Sequence, residues 1–97
     1  MNIKNIKDLK TISKAIWEEV RKQAKPDGVH IQPVIYPDGN LVIDADIEIN
    51  NKRYAKCIEF PKNYKDFSST ELKKVIKNLV KELRNICLET KKLLTKS

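Results

Sequence analysis

Leu9, Ile12, Ile16 and Val20 recur at steps of three and four residues, and Ala24 continues the row. That spacing lines one face of a helix and predicts an amphipathic helix over about residues 6–25. Asn5 or Asp8 is placed to cap its start. Its end is set by Lys25 before Pro26, because the proline ring crowds the preceding residue out of the helical region, and by the turn pair Asp27-Gly28.

The period then falls from 3.6 to 2. Two alternating runs, about 29–36 and 41–49, flank Pro37-Asp38-Gly39-Asn40, which reads as a type I turn closed by a glycine bulge. This turn sets Ile35 against Leu41, Pro33 against Ile43, Ile31 against Ala45 and Val29 against Ile47, an all-apolar face. The other face pairs Val34 with Val42, Gln32 with Asp44 and His30 with Asp46. A two-residue loop slips the register by one and mixes the faces, so the bulged turn is the expectation. Asn50-Asn51 predicts a second tight turn, since asparagine tolerates positive φ. A third strand over about 53–60 then sets Glu48 against Arg53, Ile47 against Tyr54, Ala45 against Lys56 and Ile43 against Ile58. Lys56 is the one charge on the apolar face. At a sheet edge it snorkels outward or discourages further strand pairing.

Ser68-Ser69-Thr70-Glu71 fits a capping box, in which serine and glutamate satisfy each other's backbone N–H groups at a helix start. Leu72, Val75, Ile76, Leu79, Val80, Leu83, Ile86 and Cys87 follow at helical spacing and predict a helix over about 69–94. The whole is one α+β domain. Its expected architecture is a two-layer α-β-β-β-α sandwich, with a three-stranded antiparallel sheet and both helices on one face, because two amphipathic helices cover one apolar sheet face.

Charge adds a second layer to this picture. The 97 residues carry +7, distributed as +4 over residues 1–25, −3 over 26–60 and +6 over 61–97. Such asymmetry bears on partners. Residues 1–6 lack the apolar stretch of a secretory leader, no window approaches a membrane span, and the expected location is the cytoplasm. Cys57 and Cys87 have neither metal-ligand spacing nor a nearby histidine, so they read as buried free thiols, with no metal and no cofactor expected.

No motif for catalysis emerges, and the chain reads as a non-enzyme. There is no phosphate-cradling glycine loop and no activated nucleophile. Asp44, Asp46 and Glu48 alternate along one strand with His30 beside them, which is equally the pattern of a solvated sheet face. The last helix carries Lys73, Lys77 and Lys81 at four-residue steps, with Lys74 beside the row and Arg84 read as its continuation. Like charges at this spacing repel by about 0.2–0.5 kcal/mol per pair, so the ridge is either a screened surface or one kept for an anionic partner. The first helix adds Lys10, Lys14, Arg21 and Lys25. Trp17, between Lys14 and Arg21, either closes the core or stacks on a partner.

The element order and Lys73-Lys74-Val75-Ile76-Lys77 in the last helix are similar to the double-stranded-RNA-binding domain. That resemblance implies lysines gripping phosphates across a major groove. It covers the topology and three lysines. The chain departs from the family in its shorter Pro37-Asp38-Gly39-Asn40 turn, in a histidine (His30) on a strand, in lysines that begin about a turn late after Ser68, and in Ile76, Leu79 and Val80 where the family has small alanines.

Two functions follow as expectations. The first is a nucleic-acid-binding module contacting phosphates through Lys73, Lys74, Lys77, Lys81 and Arg84, with Lys14, Arg21 and Trp17 assisting. The second is a protein-interaction or inhibitor module of the kind carried by a phage or other mobile element. In that reading Asp44, Asp46, Glu48 and His30 block a basic groove on a target such as a nuclease. Self-association as a homodimer through an open edge strand is a further route.

Overall fold

The computed structural model describes residues 6–24 and 27–95. Helix α1 spans Ile6–Gln23, strands β1, β2 and β3 span His30–Ile35, Leu41–Ile49 and Lys52–Glu59, a single 3₁₀ turn covers Tyr64–Asp66, and helix α2 spans Ser69–Thr95. Relative to the sequence reading, α1 stops two residues early and β1 begins at His30, so the Val29–Ile47 pairing is not part of the ladder. Asn5, the side chain of Asp8, and Lys25–Pro26 lie outside the described residues.

Strand order is β1-β2-β3, antiparallel throughout. The first hairpin has the expected register, with Ile35 opposite Leu41, Pro33 opposite Ile43 and Ile31 opposite Ala45. The Gly39 amide donates to the Tyr36 carbonyl at 2.9 Å, and Gly39 sits at φ +90°, the left-handed conformation that the bulge requires. Asn50 and Asn51 adopt φ 54° and 66°, closing the second hairpin on the Ile49–Lys52 pair. Pro33 is tolerated because the Tyr36–Asn40 hydrogen bond fixes which β1 residues bond to β2. By alternation the Pro33 nitrogen faces the open edge, where no donor is needed.

Both helices pack on one face of the sheet, α1 over β1 and α2 over β2 and β3. They run in the same direction. Ala15 and Glu18 lie beside Thr70 and Lys73, and further along both helices the Gln23 amide donates to the Lys77 carbonyl at 3.2 Å. The core interleaves Leu9, Ile12 and Ile16 of α1, Ile43, Ala45 and Ile47 of β2, and Ile76, Val80, Leu83 and Cys87 of α2. Ala45 has the smallest side chain on that sheet face and is fully buried, so the helices close over the middle of β2. Ser68 Oγ accepts the Glu71 amide at 3.1 Å, the expected cap of α2, which contributes about 1 kcal/mol. Lys56 points from β3 to solvent at the sheet edge.

Candidate nucleic-acid interface

α2 presents its apolar stripe to the sheet, and this leaves Lys73, Lys74, Lys77 and Lys81 exposed. From Lys73 to Lys81 the helix rises about 12 Å. That is the axial length of three to four phosphates of one duplex strand. Among the described residues none of the four lysines lies in an ion pair; the pairs present are His30–Asp46, Arg53–Asp46, Lys62–Glu59 and Arg84–Asp27. Four ammonium groups therefore stand on one helical strip with their charge unspent.

Arg84 does not belong to that strip. It is 8% exposed, and its guanidinium donates to the Asp27 carboxylate in the turn after α1. The Asp27 carboxylate also accepts the Val29 amide at 3.2 Å. Arg84 thus ties the middle of α2 to the α1–β1 connection and is not offered to a phosphate. The reason is tertiary. A four-residue step advances about 40° around the axis and a three-residue step returns about 60°, which brings Arg84 back between Lys73 and Lys77 in phase. Lys73 and Lys77 stay exposed, whereas Arg84 lies further along α2, at the level where the turn at Asp27 meets the helix.

α1 contributes to the strip through a residue outside the sequence-derived set. Lys22 lines the groove between the helices with Lys73, Lys74 and Lys77, and Glu18 and Glu19 share that groove. The signal lay in phase: Lys22 is four residues after Glu18, on the flank of α1 that turns toward α2. Lys14 and Arg21 are exposed, and Trp17 is 37% exposed. These three occupy the opposite flank of α1, about 100° or more around the helix from the buried Ile16. The structure therefore separates the Lys14–Trp17–Arg21 strip from the lysines of α2 by the width of α1.

The uncovered sheet face carries the acidic set. Arg53 donates to Asp46 at 2.7 Å, and His30 Nδ1 lies 4.0 Å from the same carboxylate. Arg53 sits opposite Glu48 in the ladder yet reaches diagonally to Asp46, so the expected Glu48–Arg53 pair is replaced by a neighbouring one. The bond to Asp46, and then its charge, raise the Arg53 pKa further. Asp44 and Glu48 have no ion-pair partner among the described residues. The face is not wholly polar, for Val34 and Val42 stand opposite each other and Val42 is buried between its neighbours. Among the described residues no cluster of three His, Cys, Asp or Glu side chains is able to hold a metal ion. No described helix is long and apolar enough to cross a membrane. Compared with known protein families, with curated proteins and with solved structures, the chain gives no match.

Proposed function

We propose that the chain is a small non-catalytic nucleic-acid-binding module of the cytoplasm that grips phosphates with Lys73, Lys74, Lys77 and Lys81, reinforced across the groove by Lys22. The observation that carries this reading is the set of four exposed, unpaired lysines along about 12 Å of one helix. Lysine ammonium groups act as point charges, so binding positions the protein on a backbone without reading bases. The Lys14–Trp17–Arg21 flank serves as a second contact strip, reached only when the ligand spans α1. Cys87 is buried as expected, whereas Cys57 is exposed because it lies on the uncovered face of the edge strand; both are free thiols.

The rival is an inhibitor, borne by a phage or other mobile element, that seats its acidic sheet face in a basic groove. It draws on Asp44 and Glu48, which stand open, and loses much of Asp46, whose charge Arg53 already meets. One experiment separates the two. The Lys73→Gln, Lys77→Gln, Lys81→Gln triple variant keeps helix propensity. It is titrated with duplex and single-stranded RNA and DNA at several salt concentrations. The slope of log K against log[salt] should shrink by about 2–3, at 0.7–0.9 per lost phosphate contact. Wild-type chain that binds none of the four ligands even at low salt refutes the proposal. Binding that Asp44→Asn with Glu48→Gln abolishes and the triple variant leaves intact transfers the function to the sheet.

A further inference from the structure

β3 is an edge strand, and α2 lies over both β2 and β3. The Phe60 amide donates to the Leu41 carbonyl at 2.9 Å, which fixes the alternation along β3. Even-numbered residues bond inward to β2, so the N–H and C=O groups of Arg53, Ala55, Cys57 and Glu59 face the open edge. The opposite edge is different in kind: β1 is shorter and Pro33 interrupts its outward donors. Above the β3 edge, α2 carries Leu72, Leu79, Ile86 and Leu93 at seven-residue intervals. The first three are half-buried and Leu93 is 72% exposed. Seven residues are close to two helical turns, so these four side chains form one stripe along the flank of α2.

We propose that this edge and this flank form an isologous dimer surface whose occupant is a second copy of the chain, with β3 pairing antiparallel to β3 of the other copy in one six-stranded sheet. The spacing fits. Strands lie about 4.8 Å apart, so a helix midway between β2 and β3 sits about 5 Å from a two-fold axis placed outside β3. The two α2 helices then lie about 10 Å apart, the ordinary separation of packed helices. Because the two-fold axis stands perpendicular to the sheet, the two copies of α2, like those of β3, meet antiparallel. Ile86 then faces its own counterpart, and Leu93 faces Leu79 of the other copy.

Charge selects the register. Centring the pair on Lys56 sets two ammonium groups side by side, which is unfavourable. Centring it on Ala55 overlaps the strands fully. Lys56 then lies opposite Tyr54 of the other copy, a cation–π partner, and Arg53 lies diagonal to the other copy's Glu59. The groove along α2 also holds Glu82, Glu89 and Lys81 near Lys56, so its two lysines face two acids. The surface lies on the flank of α2 away from Lys73 and Lys77, with Lys81 at its rim, and the inference does not rest on nucleic-acid binding.

Sedimentation velocity on the full chain tests it. The expected mass at micromolar concentration is twice the 11.3 kDa of the chain. Ala55→Pro removes only an outward donor, and Leu93→Lys changes a side chain already in solvent; each should weaken association at least tenfold while far-UV circular dichroism stays unchanged. If the proline variant misfolds, the strand contact is read by cross-linking. Ala55→Cys in a Cys57→Ser background should form a disulfide-linked dimer under mild oxidation, since bonded cross-strand Cα atoms lie about 5.5 Å apart. A chain that remains at 11.3 kDa up to millimolar concentration overturns the proposal. So does a dimer indifferent to Leu93→Lys, or one that cross-links through native Cys57 and not through residue 55.

Discussion

The Arg84–Asp27 pair joins residues 57 apart in sequence, with side chains only 10% and 21% exposed. Removing one partner from a buried pair destabilises by about 3–5 kcal/mol when no water reaches the survivor. Here the two survivors differ. Asp27→Asn leaves a guanidinium that cannot shed its proton in the less exposed position of the two. Arg84→Met leaves a carboxylate that still accepts the Val29 amide and has some access to water. The expected costs are therefore about 2–3 kcal/mol for Asp27→Asn and about 1–2 kcal/mol for Arg84→Met, discounted for this exposure. The double variant should lie within about 1 kcal/mol of wild type, because matched removal leaves no orphan charge. Urea unfolding followed by circular dichroism gives these values, provided the m-value is unchanged. Lys81→Gln, one turn earlier and exposed, is the control and should stay within about 0.5 kcal/mol. Asp27→Asn behaving like that control, or a double variant whose loss equals the sum of the singles, refutes the idea that the pair fastens α2 to the α1–β1 connection.

Gly39→Val should cost about 1–2 kcal/mol. An added Cβ at Gly39 meets no atom within 4 Å, so the whole loss comes from holding a branched residue at positive φ, and Gly39→Asn should recover most of it in the same urea assay. Burial, aided by the charge of Asp46, raises the Cys87 thiol pKa. A thiol that ionises later when folded gives an unfolded state binding fewer protons at alkaline pH. Stability should therefore fall as pH rises past the ordinary thiol range, and more steeply in wild type than in Cys87→Ala; parallel profiles would contradict this.

Most of the fold was legible because one pairing alone makes a face wholly apolar. Ile35, Pro33 and Ile31 find Leu41, Ile43 and Ala45 only through a glycine bulge, and that register is the one observed. The capping serine and the two asparagines were legible for a different reason, since each has a local chemistry that few residues share. Arg84 was misplaced because charge was grouped with charge. In helical phase it does lie between Lys73 and Lys77, and only its burial separates it from them. Finding its partner required knowing that the turn at Asp27 passes beside the middle of α2, which is a property of the tertiary path. Arg53 shows the same limit on the sheet, where register names the opposite residue and side-chain length decides which carboxylate is reached.

The two helices sit at opposite ends of the sequence yet cover the same sheet face. During synthesis this ordering has a cost. When residue 67 emerges from the ribosome, all three strands are available, but the apolar side of β2 is covered only by α1. Ile43 and Ile47 stay without Val80, Leu83 and Cys87 until the 27 residues of α2 follow. At 5–20 residues per second, that interval is about 1–5 s. For that time the nascent chain carries an open β-edge beside an unfilled apolar face, and a chaperone able to shield extended apolar segments would find its client in that window.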